Sequence, residues 1–212
     1  MARKPDNAPA RRQEILEHFY EVLKSEGIEG ASNAKIASHM NINPSLIYHY
    51  FASKEEMFVE LVQYLTEQYK KAFSPLVDQV SDPERRLEII IDTLFSRDWV
   101  QFIDMGAFYS CYALSFRNES VRRSIQGMYL ELRRHLAEEI GALIEAGVIA
   151  PAAPDMLADA VIALLEGYDY YRCLMLDDKR FDELGGLLKE NALAMLKYGY
   201  GRVVPERRKN RG

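Results

Sequence analysis

The residues of this chain best suited to chemistry lie between residues 32 and 58. Tyr48, His49 and Tyr50 are consecutive in what reads as a short helix, and together they offer two hydroxyl groups and an imidazole. So short a helix cannot bury all of these polar atoms without leaving some of them unsatisfied. We therefore interpret the stretch as a helix-turn-helix whose second helix is built to contact DNA.

Helix start signals indicate how the chain would position these side chains. Ser32 is expected to cap a helix over 33–39, and Asn41 is expected to take the left-handed backbone that the following turn requires. Asn43 then caps the second helix, with Pro44 at its first position, where a missing N–H costs nothing. The polar side chains of this short helix should therefore face outward.

The rest of the chain also reads as helical. A capping box over 53–56 opens a helix predicted to run over 54–73 and to stop before Pro75. No segment alternates as a strand would, so we predict an all-α fold of about nine helices. Apolar residues at helical spacing predict the other long helices at about 10–26, 98–116, 119–146, 155–176 and 181–199, with a further helix starting near residue 83.

Composition excludes several classes of protein. Of the 212 residues 48% are hydrophobic, yet no apolar run is long enough for a membrane span and no leader precedes the first helix. Cys111 and Cys173 are isolated and match no metal spacing, so we interpret both as buried thiols. No paired carboxylates, Ser/His/Asp set or phosphate loop is present. We expect a cytoplasmic protein without membrane contact, catalytic residues, metal or cofactor.

The net charge of −5 is unevenly distributed along the chain. The excess of acidic residues lies in the middle, whereas the tail from residue 202 is basic, and Arg3, Lys4, Arg11 and Arg12 lie at or before the start of the first helix. Basic arms beside a DNA-reading helix add phosphate contacts and salt-sensitive affinity. For the C-terminal tail we favour the alternative of a simply solvated segment.

Residues 31–58 resemble the DNA-binding signature of the TetR family of transcriptional regulators. The matching elements are Ser32, Ile36-Ala37, Ile42-Asn43, Ile47-Tyr48-His49-Tyr50-Phe51 and Ser53-Lys54-Glu55. Met40 and Asn41 depart from the Ala and Gly usual there. The resemblance implies base contacts from the short helix and phosphate contacts around it, although a partly buried role is as plausible for Tyr50. The implied DNA-binding residues are Ser32, Asn33, Pro44, Ser45, Leu46, Tyr48, His49, Tyr50 and Lys54.

The resemblance also implies a homodimer on a palindromic operator, paired through the last two long helices. Small and apolar residues there suit close helix contact, although they could equally form the core of a monomer. The expected interface residues are Ala160, Ala163, Gly167, Leu184, Leu188, Ala192 and Met195.

A small-molecule effector is the third partner that the resemblance implies. Aromatic and polar side chains on three helices are candidates for its pocket, with an ordinary core as the alternative. They are Trp99, Phe102, Met105, Tyr109, Tyr112, Met128, Leu132, His135, Tyr168 and Tyr171. Residues 160–175 also resemble the choline- and betaine-linked BetI-like branch of the family, where Glu166 or Asp169 beside aromatic rings would hold a quaternary ammonium.

These features predict three regions: an N-terminal arm with the helix-turn-helix domain (1–53), a helical effector-binding and dimerisation domain (54–200) and a basic tail (201–212). The predicted function is a ligand-responsive repressor in which the helix over 54–73 links the two domains. An activator, or a regulator controlled by a protein partner, is the alternative, and an all-helical enzyme is a remote one.

Overall fold

A computed structural model describes residues 8–97, 104–175 and 177–198, except for the side chains of residues 69, 72, 73 and 178. Within these ranges the chain is helical and contains no strand, which confirms the predicted all-α fold. The nine helices of this part are α1 (Ala8–Gly30), α2 (Asn33–His39), α3 (Pro44–Tyr50), α4 (Lys54–Val77), α5 (Pro83–Leu94), α6 (Met105–Ser115), α7 (Glu119–Glu145), α8 (Pro154–Met175) and α9 (Asp178–Tyr198).

Several helix ends differ from their predicted positions. The helix predicted over 98–116 begins only at Met105, because Asp104 takes an extended backbone and caps it, and the helix predicted over 181–199 begins at Asp178.

Two other ends differ at a glycine and a proline. α1 was expected to stop before Gly27, and Gly27 does take the left-handed φ of 68° that ends regular helix, but a further turn reaches Gly30. α4 was expected to stop before Pro75, but it continues to Val77. A proline in the last turn removes only one backbone hydrogen bond, so the helix tolerates it there.

The first of two compact units falls within Met1–Ser74 and Val100–Leu130. Its core joins α1, α2 and α3 to α4, α6 and the start of α7. Phe19 of α1 and Phe58 of α4 meet edge to face at its centre, with ring centroids 5.1 Å apart. Ile36 and Ile47 anchor α2 and α3 to the same core, and both are completely buried. Burial of one face of each short helix therefore fixes which face remains outside.

The second unit falls within Pro75–Trp99 and Glu131–Gly212. It is built from α5, the later part of α7, α8 and α9, whose buried residues are mainly Leu, Ile and Val. Partly exposed ion pairs tie these helices together, including Arg86 to Glu139 at 2.7 Å and Lys197 to Glu84 at 2.6 Å. The boundaries at residues 53 and 200 expected from the sequence remain predictions.

Two further expectations can be compared with the described residues. None of their helices combines the length and the apolar character that crossing a lipid bilayer demands. Cys111 is buried as predicted, and burial raises the pKa of its thiol to about 12. Cys173, in contrast, is exposed on α8, so the prediction of a second buried thiol was wrong.

Candidate nucleic-acid interface

Local hydrogen bonds build α2, the turn and α3 as the sequence predicted. The Ser32 hydroxyl accepts a hydrogen bond from the Lys35 N–H at 3.3 Å and caps α2. Asn41 has a φ of 53°, the left-handed conformation expected in the turn. The Asn43 side chain accepts from the Ser45 N–H at 2.9 Å and caps α3, with Pro44 in the first turn. Two short-range hydrogen bonds and one left-handed residue thus set the geometry of the turn.

α3 presents one face to the core and the other to solvent. Ile47 is completely buried, and Phe51 after the last turn is 1% exposed. Leu46 and Tyr50 are partly exposed at the edge of the helix. On the outer face Tyr48 is 65% exposed, and the other outward residues are Pro44, Ser45 and His49. The outer face therefore offers a hydroxyl, an imidazole and a small apolar surface.

Arg12 of α1 holds the C-terminal end of α3 in place. Its guanidinium donates hydrogen bonds to the backbone carbonyl of Tyr50 and to the carboxylates of Glu56 and Glu60 on α4. The same group lies over the Phe51 ring, 4.3 Å from its centroid. These contacts hold the pKa of Glu56 below its ordinary range, chiefly through the hydrogen bond from Arg12. Arg12 was expected to belong to a phosphate-binding arm, whereas in the structure its guanidinium bonds to α3 and α4.

Lys54 is the first residue of α4, and its contact with a phosphate remains a prediction. Its ammonium donates a 2.7 Å hydrogen bond to the carbonyl of Ile28, and burial lowers the pKa of the amine. The Ser53 hydroxyl accepts from the Glu56 N–H at 3.1 Å, as the predicted capping box requires. An ammonium has three donors, so the contact with Ile28 leaves others for a phosphate oxygen.

Ser32 and Asn33 lie at the start of α2. Asn33 is partly exposed and Ser32 is exposed. The first N–H groups of a helix lack helical partners and favour an anion such as a phosphate. The starts of α2 and α4 thus both carry hydrogen-bond donors, the kind of group that contacts the phosphates of a duplex.

The structure also links α1 to α6. The Tyr20 hydroxyl accepts a 2.6 Å hydrogen bond from the N–H of Asp104, and the Asp104 carboxylate accepts from the Ala107 N–H at 2.8 Å to cap α6. Ala107 and Cys111 of α6 are buried in the core shared with α1. No sequence pattern indicated this contact, because its two partners are 84 residues apart.

The predicted pocket residues that the structure describes are divided between the two compact units. Trp99 and Phe102 lie outside the described residues. Met105, Tyr109 and Tyr112 on α6 belong to the first unit, as does Met128 on α7. The rings of Tyr109 and Tyr112 stand 6.4 Å apart at 87°, and Tyr112 is 36% exposed. The face of a partly exposed aromatic ring such as that of Tyr112 is the type of surface that attracts an organic cation.

In the second unit the remaining pocket candidates have different environments. Tyr168 packs between Phe95 and Phe181, and its hydroxyl donates to the Phe181 carbonyl at 3.2 Å, so it serves as a core residue. Burial raises the pKa of Tyr168 to about 12. Leu132 is partly buried, whereas the other two candidates are exposed at the surface: His135 and Tyr171.

Of the two acidic residues suggested as partners for a quaternary ammonium, Glu166 and Asp169, the second is already paired with an arginine. Asp169 accepts a 2.8 Å hydrogen bond from Arg172, and only 5% and 8% of the two side chains are exposed. A carboxylate neutralised by a buried guanidinium is a poor counter-ion for a second cation, so the structure corrects this assignment of Asp169.

Residues predicted at the dimer interface lie on α8 and α9. Ala163 and Gly167 are exposed and Ala160 is partly exposed. On α9 the partly exposed residues are Leu184, Leu188 and Met195. Ala192 is completely buried within its own unit, and a side chain without exposed surface cannot contact a second subunit. This residue is therefore removed from the interface.

Two family models match this chain. Residues 15–61 match the model described as bacterial regulatory proteins of the tetR family. Residues 81–198, more than half of the chain, match the tetracyclin repressor-like C-terminal domain. The fold and the exposed second helix define a DNA-binding transcriptional regulator of the helix-turn-helix class. The chain belongs to the TetR family of these regulators, which confirms the resemblance and excludes an enzyme.

Relatives and solved structures agree with this assignment. The chain is 25% identical over 163 residues to the nucleoid occlusion factor SlmA of Vibrio cholerae serotype O1, covering 74% of this chain and 81% of the relative. It is 24% identical over 185 residues to the regulator BetI of Brucella canis, covering 78% and 92%.

Two solved structures show the same fold. A TetR transcription regulator from Haloarcula marismortui superposes with a TM-score of 0.78 at 17% identity, covering 88% of this chain and 98% of the other. A transcriptional regulator from Saccharomonospora viridis in complex with choline gives 0.75 at 17% identity, covering 90% and 97%. At these identities the two structures show the fold alone.

Proposed function

We propose that this protein is a dimeric repressor that binds a palindromic operator and is released by a small-molecule effector. The outer face of α3 carries this proposal, because Tyr48 and His49 are exposed there while Ile47 holds the opposite face in the core. Tyr48 and His49 can hydrogen-bond to bases or phosphates. Pro44 and Leu46 offer apolar contacts that suit thymine methyl groups better than a bidentate hydrogen-bond code.

Phosphate contacts would orient this helix in the major groove. Ser32, Asn33 and Lys54 lie at the starts of α2 and α4, where helix N–H groups and the ammonium favour an anion. Tyr50 is only partly exposed, so its hydroxyl would contact a phosphate from the edge of α3. Because α3 spans only two turns, it reads few bases, and a second copy is needed for specificity.

An unpartnered apolar face on α8 supports the dimer. Met156, Tyr170 and Leu174 are each more than half exposed, and they follow the same stripe as Ala163 and Gly167. Soluble monomers rarely leave such a continuous apolar surface in water. Small residues in the middle of the stripe allow two helix backbones to approach closely. A second copy of α8 and α9 is the partner that we assign to this face.

Control by an effector would act through α6 as well as α4. A ligand against Met105, Tyr109 and Tyr112 would move α6, and the hydrogen bond from Asp104 to Tyr20 ties the start of α6 to α1. The ligand must bind one arrangement of these helices better than the other in order to shift the population. The choline-bound structural neighbour and the perpendicular tyrosines support an organic cation as the class of effector.

Control by a protein partner is the second candidate, since one relative is named a nucleoid occlusion factor rather than an operon regulator. Exposure of Phe116, 74%, next to Tyr112 in the first unit favours it, because such a surface suits another protein. Titration with choline, betaine and longer-chain amines separates the candidates. Heat of binding, or a rise in melting temperature, with any of these compounds supports the small-molecule effector. If none of them gives either signal, control by a protein partner is favoured.

Selection of bound sequences from random duplex DNA tests the proposed function. A palindrome with half-sites about one helical turn apart is the expected product. Enrichment of single, unpaired half-sites would contradict the dimer, and the absence of any enriched sequence would contradict an operator. Once an effector is known, effector and operator should weaken each other's binding by the same factor.

A further inference from the structure

Two of the four histidines of the chain meet at the surface of the first unit. His18 lies in the middle of α1, and His39 is the last residue of α2. Their Nδ1 atoms are 2.8 Å apart, and the ring planes are inclined at 72°. The DNA-reading proposal uses neither residue. At 2.8 Å one Nδ1–H donates a hydrogen bond to the other Nδ1, so a metal ion bound by both nitrogens would replace the shared proton.

The distance between the two Nδ1 atoms suits two neighbouring ligands of the same metal ion. A histidine nitrogen binds a first-row metal ion at about 2.0–2.1 Å, so two nitrogens 2.8 Å apart subtend about 85–90° at the ion. A tetrahedral ion would hold them about 3.3 Å apart at the same bond length. An angle near 90° is that between neighbouring ligands of a square-planar or octahedral ion. With nitrogen and oxygen ligands, square-planar and tetragonal geometries are typical of Cu²⁺ and Ni²⁺.

Carboxylates close to His18 along α1 already have partners. Glu14 pairs with Arg11 at 2.6 Å, and Glu21 pairs with Lys24 at 2.9 Å. Glu17 accepts a hydrogen bond from a glutamine side chain at 2.9 Å. Among the described residues no group of three or more potential ligands comes together. A metal ion would therefore take two protein nitrogens and complete its coordination with water.

We propose that His18 and His39 form a two-nitrogen chelating site for a divalent transition metal, with Ni²⁺ and Cu²⁺ preferred to Zn²⁺. The ion joins α1 to the C-terminal end of α2, where the partial negative charge of the helix favours a cation. Only the folded arrangement brings the nitrogens together, so the metal stabilises the helix-turn-helix unit.

Titration of the full-length protein with NiCl₂ tests the site by calorimetry and by thermal melting. We expect saturable binding of one ion per chain and a rise in melting temperature that EDTA reverses. Either His18→Gln or His39→Gln should weaken binding at least about tenfold, since even outer partners of a metal site contribute that much. ZnCl₂ should bind more weakly. Electron paramagnetic resonance of the Cu²⁺ complex should show two coordinated nitrogens, and one in either variant.

His135→Gln is the matched control, because His135 is also exposed but lies beside Arg134 and Glu138 rather than another histidine. It should bind Ni²⁺ as the unchanged protein does. His39 is exposed at a helix end, so its variant keeps the test valid if His18→Gln unfolds. The proposal is overturned if Ni²⁺ does not bind saturably, or if it binds equally to the protein with and without His39. Neither result affects the proposed operator binding.

Discussion

The hydroxyl of Tyr20 on α1 accepts a 2.6 Å hydrogen bond from the backbone N–H of Asp104, the residue that caps α6. This contact joins the first helix of the DNA-reading region to a helix that carries candidate effector residues. Burial raises the pKa of Tyr20, so its hydroxyl stays protonated at neutral pH and can both accept and donate.

Tyr20→Phe should destabilise the protein because it removes this acceptor. A partly buried N–H would lose its partner, at about 1–2 kcal/mol of unfolding free energy. Urea unfolding followed by circular dichroism measures the change. Tyr64→Phe is the matched control, since its hydroxyl makes only an exposed contact with Glu17 at 3.4 Å. If the two substitutions lower the free energy of unfolding equally, the hydrogen bond between Tyr20 and Asp104 contributes no more than an exposed contact.

Arg12→Ala should be the more damaging of the two possible arginine substitutions in α1. It removes charged hydrogen bonds to α4 and to the end of α3, for a loss of about 2–3 kcal/mol. Arg11→Ala is the control, because Arg11 pairs only with Glu14 on the same helix and should cost less than about 0.5 kcal/mol. Operator affinity should fall in Arg12→Ala with an unchanged salt slope, because Arg12 positions α3 and does not bind phosphate.

The pair of Arg12 and Glu56 also predicts a pH dependence. Arg12 holds the pKa of Glu56 below its ordinary 4.5, so this carboxylate contributes stability above that pH. The contribution is lost as the pH falls through the lower pKa of the folded state. Stability measured between neutral pH and pH 3 should therefore decline less steeply in Arg12→Ala than in the unchanged protein. Parallel curves would show that the pair contributes nothing to the acid dependence.

Lys54→Ala should reduce the salt dependence of operator binding. Loss of one phosphate contact lowers the slope of log affinity against log salt by about 0.9. Binding is measured by fluorescence anisotropy at several salt concentrations. Lys71→Ala, at an exposed position further along α4, should leave the slope unchanged. If Lys54→Ala also leaves it unchanged, Lys54 serves only to tie α4 to the Ile28 carbonyl.

Adjacent glycines on α9 should respond in opposite directions to alanine. A Cβ on Gly185 would lie 2.8 Å from the Phe95 carbonyl oxygen and 2.7 Å from the Tyr168 hydroxyl, so backbone must move. We expect a loss of about 1–3 kcal/mol. Gly186→Ala meets nothing within 4 Å and should gain about 0.5–1 kcal/mol through helix propensity. Thermal unfolding compares them, and a stable Gly185→Ala would refute the close packing.

Ala163→Glu should separate the proposed dimer. Residue 163 is exposed in the middle of the α8 stripe, and a charge there would be buried against its symmetry copy. Sedimentation velocity should give a dimer for the unchanged protein and a monomer for the variant. Gln126→Glu adds a charge at an exposed position of α7 and should stay dimeric. A monomeric unchanged protein would contradict the interface directly.

Local signals in the sequence were sufficient for the DNA-reading region. Ser32, Asn43 and Ser53 cap their helices as expected, and Asn41 takes the left-handed backbone. Each of these features depends on residues within four positions along the chain. The expectation that the polar side chains of α3 face outward holds for Tyr48 and His49, which are exposed, and only in part for Tyr50. The same reasoning misplaced the end of α4, because one proline in a last turn is tolerated.

Side-chain assignments that depend on helix packing could not be made from the sequence. Tyr168 and Tyr171 both looked suitable for a pocket, yet one is core and the other is exposed. Ala192 looked like Ala163, but only Ala163 has exposed surface. The two residues of each pair are of the same type, so only the helices that pack around them distinguish the buried residue from the exposed one.

The sequence alone determined the class of the protein, through caps, a turn and an aromatic helix whose signals are local. Tertiary structure decided which polar groups are used internally and which remain for a partner. Arg12 reaches α3 and α4, Tyr20 meets a residue 84 positions away, and His18 meets a residue 21 positions away. The physical reason is that such contacts form only after helices pack, and helix packing follows from the shape of the shared core rather than from any short segment.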